Sequence, residues 1–299
     1  GGDLQGAAAL FRAILAEQRA APPGWATAAV GWLLVEAEAC DAAAPEALQK
    51  AQQVIQSALT QGEQTAADAA RAAYWLGRVM WARGGEWRSQ REHALAQWMK
   101  AAAPEGPSQA AAFAWIGEYY LKVAGESTRA RACFQRALGL DASLDVAGEG
   151  LCQLLRVSGS SGLRALCEGM AARAPQAAWT QRQLGMLELM DGGQEAAVAC
   201  LQRSLRAEPS NAATWEWLGA AYHSLGRTSA AAKSFERALQ LAPGRLYARV
   251  ALAGVCLELG DLLGAKEDYQ AALEHGAEQP VALLGLASVH LREAAALAA

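Results

Sequence analysis

Residues 212–245 read AATWEWLGAAYHSLGRTSAAAKSFERALQLAPGR, and the spacing of their large and small side chains is that of two packed helices. Trp215, Leu218, Gly219 and Tyr222 recur at intervals of three and four, which puts them on one face of a first helix. Gly219 leaves that face open for close approach, and Tyr222 fills the space beside it. After a turn at Gly226, Ala231, Phe235 and Ala238 give a second helix a small-large-small stripe that fits the groove, and Pro243 stops it. A hairpin of this kind cannot bury its own outer face and must stack on further copies.

The copies are present. Leu184-Gly185 precedes Leu218-Gly219 by 34 residues and leads to Gly192, Ala197, Leu201, Ser204 and Pro209. Leu252-Ala253 follows it by 34 residues and leads to Gly260, Ala265, Tyr269 and Ala272. This period and residue set are those of the tetratricopeptide repeat (TPR). The expected fold is all-α, an α-solenoid of antiparallel helix pairs wound into a right-handed superhelix.

Upstream the signature persists while the period stretches. Ile116-Gly117 leads to Ala130, Phe134 and Ala137, one residue late, and Leu76-Gly77 leads to Ala94, Trp98 and Ala101, five residues late. The extra residues fall in the turn ARGGEWRSQREH, residues 82–93, where a solenoid tolerates insertion. A degenerate repeat between Asp145 and Pro175 keeps Leu151 and carries a flexible turn at residues 158–162, SGSSG.

Residues 1–299 are therefore expected to form one continuous solenoid. It divides into a half repeat at 1–24, irregular repeats at 25–177, three regular repeats at 178–279 and the first helix of an incomplete repeat at 280–299. Neither end reads as a polar capping helix and residue 1 is glycine, so the chain reads as an excerpt of a longer repeat protein.

Composition narrows the function classes. Hydrophobic residues make up 53% and charged ones 19%, the balance of a soluble helical protein, and no apolar run approaches the roughly 18 residues of a membrane span. The net charge of −4 and the dispersal of the basic residues argue against direct, strong nucleic-acid binding. Arg129, Arg131 and Arg136 read as a solvated helix face. The six cysteines lie far apart without a C-x-x-C pair, the pattern of reduced thiols in a cytoplasmic or nuclear protein.

Chemistry is not legible in the chain. The segment from Gly260 through Gly264 to Lys266 has the wrong spacing for a phosphate loop and is the turn of a repeat. His93, His223, His275 and His290 are too scattered for a metal site, and His290 takes the place of the packing tyrosine, which implies a core or half-buried histidine. Trp75, Trp98, Trp115 and Trp215 stand in the packing phase and read as core rather than ligand box. No catalytic residue, cofactor or metal is expected, and the chain is expected not to be an enzyme.

The remaining candidate is the concave groove, lined by the second, fifth, ninth and twelfth positions of each first helix. In the regular repeats these are Trp179, Arg182, Met186 and Leu189, then Ala213, Glu216, Ala220 and His223, then Tyr247, Val250, Gly254 and Leu257. Trp179, Arg182, Met186, Glu216, His223 and Tyr247 are the candidate partner-binding residues, with Trp179 and Tyr247 as exposed aromatics. The Lys and Asn of a carboxylate-gripping co-chaperone clamp are missing from this set, which favours folded partners or extended apolar segments.

A more specific likeness follows from the irregular features. The run from Ala197 to Leu291, the long turn within WLGRVMWARGGEWRSQREHALAQWMKAA (75–102), the repeat GEYYLKVAGESTRARACFQRALGLD (117–141), and the blocks WEWLGAAY (215–222) and PGRLYARV (243–250) occur in an order that resembles the tetratricopeptide subunit of the superkiller (Ski) complex. The resemblance runs from about Tyr74 to His290, and this chain departs from it in its alanine content and its SGSSG turn. It implies a non-catalytic scaffold that holds a DExH-box RNA helicase and a WD-repeat subunit, mostly through regions outside this stretch. That assembly assists the cytoplasmic exosome in 3′-to-5′ mRNA decay. Repeats of this kind also build adaptors of other complexes and the TPR arms of larger enzymes such as glycosyltransferases.

Overall fold

The computed structural model describes residues 48–49, 52–53, 55–56, 66–103, 105–106, 108–158, 161–275 and 280–298. The expected half repeat at 1–24 lies outside them, as does most of the stretch before residue 66 of the irregular repeats expected at 25–177. The described residues are helical throughout, with short turns between elements and no strand among them. The chain divides into two compact units, Gly1–Leu154 and Leu155–Ala299, which are described separately.

In the first unit, α1 (Ala66–Arg83) is followed by a short α2 (Gly85–Ser89), a π-helical segment (Arg91–Leu95) and α3 (Ala96–Ala102). Then come α4 (Gln109–Lys122), α5 (Ser127–Leu140) and the start of α6 (Asp145–Ser158). The predicted small-large-small stripes form its core: Ala94, Trp98, Ala101, Ala130, Phe134 and Ala137 are all fully buried. Each large ring meets a glycine on the first helix of its pair. A Cβ placed on Gly77 would stand 2.4 Å from Trp98 Nε1, and one on Gly117 would stand 2.6 Å from Phe134. Phe134 also fills the space over Gly150 of α6, so one ring is clasped between two glycines.

The insertion expected as a turn is itself helical. Consecutive positive φ values at Gly84 and Gly85 break α1 and admit the extra turn of α2. Its side chains fold back onto the core. Arg88 donates twice to the Trp81 carbonyl, at 3.1 and 3.0 Å, and Arg83 lies 4.4 Å over the ring of Trp87. Trp81, Trp98 and Trp115 pack with ring centroids 5.5 to 5.9 Å apart, and Arg78 caps Trp115 at 4.1 Å. Trp98 is fully buried, as expected, while Trp75, Trp81 and Trp115 are partly buried against the same core.

The second unit continues with the end of α6 and α7 (Ser161–Arg173), followed by three helix pairs. These are α8 (Ala178–Met190) with α9 (Gln194–Ala207), α10 (Ala212–Ser224) with α11 (Thr228–Leu241), and α12 (Leu246–Leu259) with α13 (Leu262–His275). Helix α14 (Pro280–Ala298) closes the series. Ser161 and Gly162 lie inside α7, so the expected SGSSG turn is shorter than the sequence implied, and Gly159 and Ser160 fall outside the described residues.

Turns within the pairs follow one design. Helix α10 ends at Gly226, whose φ of 70° lets Arg227 donate back to the Tyr222 carbonyl at 2.9 Å. Helix α12 ends in the same way at Gly260, φ 85°, with Asp261 donating to Cys256 at 2.9 Å. This reversed cap satisfies carbonyls that a helix terminus otherwise leaves unpaired. It also accounts for the glycine of the phosphate-loop lookalike. The stripes again form the core, with Ala197, Leu201, Ser204, Ala231, Phe235, Ala238, Ala265 and Ala272 at most 1% exposed and Tyr269 at 4%.

Candidate functional site

Repeat periodicity places the candidate residues on the first helices α8, α10 and α12, but burial separates them. Trp179 is fully buried and Arg182 is 2% exposed, so the expectation of an exposed aromatic at the start of α8 is corrected. Glu216 is likewise buried, at 6%. Met186 is half-buried, within reach of Arg156, whose Nη1 lies 3.4 Å from its sulfur. His223 and Tyr247 are exposed, Tyr247 by 60%. Ion pairs hold the fifth-position charges Arg182 and Glu216 inward, which residue spacing alone does not encode.

Those pairs are specific. Arg182 donates to Glu208 at 2.8 Å. At the equivalent place one repeat later the charges are exchanged: Glu216 accepts two bonds from Arg245, Nε to Oε2 and Nη2 to Oε1, both 2.8 Å. The fork ties α10 to the segment leaving α11 through two charge-assisted hydrogen bonds. The bonds to Glu216 hold the Arg245 guanidinium charged. Arg164 of α7 makes a similar clasp on α8, reaching Glu188 at 2.7 Å and Asp191 at 2.6 Å.

Exposed candidate positions concentrate toward the end of the second unit. His223 meets Glu258 of α12 at 2.9 Å, and Arg292 of α14 donates to the Leu257 carbonyl at 2.7 Å. Tyr247 shares this open character with Val281, Leu284 and Leu291 of α14, each more than 60% exposed. His290, expected in a core or half-buried place, is exposed and bonded to Glu293 at 3.0 Å, because no second helix among the described residues covers that side of α14. Lys266 also reaches Glu293, and His290 and Lys266 together hold its carboxyl below the usual range.

Burial raises the thiols of Cys133, Cys200 and Cys256, the last to about 11 with help from Asp261, Asp268 and Glu236. Raised thiols are poor nucleophiles. No described helix is long and apolar enough to cross a membrane. One feature escaped the sequence reading altogether, a recess of about 300 Å³ lined by Pro175, Gln176, Gln181, Arg203 and Arg206. Its signal was a departure from the repeat: glutamine at the fourth position, where the next repeat has tryptophan.

The tetratricopeptide-repeat family profile matches residues 183–245. Tetratricopeptide repeat protein 37 of Xenopus laevis is 34% identical over 221 residues, covering 73% of this chain and 14% of the relative. Superkiller complex protein 3 of Mus musculus is 34% identical over 230 residues, covering 75% of this chain and 14% of the relative. The chain thus spans about one seventh of the length of the curated relatives it matches. Among solved structures, Pseudomonas aeruginosa PilF aligns with a TM-score of 0.50 and 18% identity over 61% of this chain and 89% of its own, a likeness of fold alone.

Proposed function

This chain is a tetratricopeptide-repeat solenoid whose homologues include superkiller complex protein 3, and from that relationship we propose that it is a stretch of the scaffold subunit of a superkiller complex. Its work is to hold proteins together and it performs no catalysis. The partners of the assembly are a DExH-box RNA helicase and a WD-repeat subunit, engaged mostly by regions outside this stretch. The assembly serves cytoplasmic 3′-to-5′ mRNA decay by the exosome.

One observation carries the reading. Identity of 34% extends over 221 to 230 residues, about twice the span of the three regular repeats at 178–279, so the match is not a generic repeat signature alone. Packed repeats give a rigid frame with partner contacts spread over many helices, the arrangement an assembly platform needs. The candidate partner-contacting groups are the exposed His223 and Tyr247, with the half-buried Met186. Trp179, Arg182 and Glu216 serve from inside by fixing the first helices.

A chimera tests the proposal. The matched stretch of mouse superkiller complex protein 3 is replaced by this chain and the purified complex is analysed for its other subunits. Retention of the helicase and the WD-repeat protein at wild-type ratios is expected. A soluble, folded chimera that loses both would contradict the reading.

A further inference from the structure

Three prolines at 34-residue intervals, Pro175, Pro209 and Pro243, precede the first helices of the regular repeats, and the fourth residue of each helix faces them. In α10 that residue is Trp215, whose Nε1 donates to the Pro209 carbonyl at 2.9 Å. In α12 it is Arg249, whose Nη2 donates to the Pro243 carbonyl at 3.1 Å. In α8 it is Gln181, which is shorter and bonds elsewhere. Its Oε1 accepts from Arg203 Nη1 at 3.1 Å, and the space that an indole or guanidinium occupies in the other repeats is left as the recess of about 300 Å³.

The polar groups around this recess are one-sided. Gln181 is 7% exposed and its oxygen accepts from Arg203, so its amide N–H groups are the donors it can offer to the recess. Arg203 and Arg206 stand three residues apart on α9 and so share a face. No described carboxylate pairs with either, and none is among the described lining residues. Elsewhere in this unit Arg164, Arg182, Arg245 and Arg249 are each neutralised by a carboxylate. The following repeats lack the pair: Arg237 and Gln240 stand at the matching positions of α11, and Ala271 and Glu274 at those of α13.

We propose that the recess formed by Gln181, Arg203 and Arg206 is an oxyanion-binding site that receives a carboxylate or phosphoryl group carried by a partner protein segment. The Gln181 amide and the two guanidinium groups supply the donors, and Pro175 and Gln176 form the rim. The dispersal of the other basic residues and the net charge of −4 favour a single anionic side chain over a nucleic-acid backbone, which needs a row of cations. The site rests on the protein-binding reading above, yet lies apart from the concave positions, and it is tested without any superkiller subunit.

The ¹⁵N-labelled 299-residue chain is titrated with inorganic phosphate, then with a short peptide carrying a central phosphoserine and the same peptide carrying glutamate. The Gln181 side-chain amide and the Arg203 and Arg206 guanidinium signals should shift and saturate together. Comparison of the two peptides decides between phosphoryl and carboxylate. Arg206→Gln should weaken binding about tenfold. Gln181→Trp, which restores the filled arrangement of the next repeat, should abolish it. Unchanged affinity in Arg206→Gln, shifts spread over all arginines alike, or tighter binding of a single-stranded oligonucleotide than of either peptide would overturn the proposal. Should Gln181→Trp fail to fold, Arg206→Gln still decides, since its side chain is exposed.

Discussion

Gly219 lies so close beneath Phe235 that a Cβ on the glycine would stand 2.7 Å from the ring. The contact joins the two helices of the central repeat, and its counterparts at Gly77 with Trp98, Gly117 with Phe134 and Gly185 with Leu201 join three others. Gly219→Ala should therefore destabilise the chain by about 1–2 kcal/mol, because overpacking outweighs the gain in helix propensity. Gly254→Ala is the matched control. Its Cβ would meet only the Tyr269 hydroxyl, at 3.5 Å, so the substitution should be neutral or stabilising by up to about 1 kcal/mol. Denaturant unfolding of both variants checks the contrast.

Ser204 occupies the place taken by Ala101, Ala137, Ala238 and Ala272 in other repeats, and its buried hydroxyl has no hydrogen-bond partner among the described residues. Ser204→Ala removes that unsatisfied group without opening a cavity. Stability should rise by about 1 kcal/mol, seen as a higher denaturation midpoint at unchanged slope.

The fork between Arg245 and Glu216 is predicted to be strongly coupled. Arg245→Ala leaves a buried carboxylate without its cation and should cost about 2–3 kcal/mol, while adding Glu216→Gln should recover much of that loss. A double-mutant cycle by thermal unfolding measures the coupling. Additive effects would show that the pair is incidental.

Cys256 should resist thiol reagents. Its pKa of about 11 in the fold lies above the ordinary value of 9.0, so at pH 8 the thiolate is scarcer than in the unfolded chain. Because the folded pKa is the higher one, this thiol's contribution to stability is complete below pH 9 and is lost as pH rises toward 11. Alkylation at pH 8, followed by peptide mapping, should label Cys256 at least about tenfold more slowly in the native chain than in the denatured one.

Much of this architecture could be read directly from residue spacing. Ala231, Phe235 and Ala238 announced a buried stripe because side-chain size at intervals of three and four has a single packing consequence in a helix. Exposure was harder to read. Trp179 and Arg182 occupy positions that geometry assigns to an open groove, yet both are buried, since an ion pair from Arg182 to Glu208 draws that face in and no local rule encodes a partner 26 residues away. The helical insertion after Gly84 was missed for a related reason: two glycines read as a loop, whereas stacking of Arg83 and Arg88 on Trp87 and Trp81 makes an extra turn of helix favourable. The recess at Gln181 is a departure from periodicity, and a pattern search notices what recurs.

The most direct test of the scaffold account is affinity purification of the full-length protein from its own cells, with quantitative mass spectrometry of what accompanies it. A DExH-box RNA helicase and a WD-repeat protein should co-purify with it in fixed ratio, resistant to nuclease treatment. Recovery of the full-length protein with neither would contradict membership of a superkiller assembly, whatever the fold of its repeats.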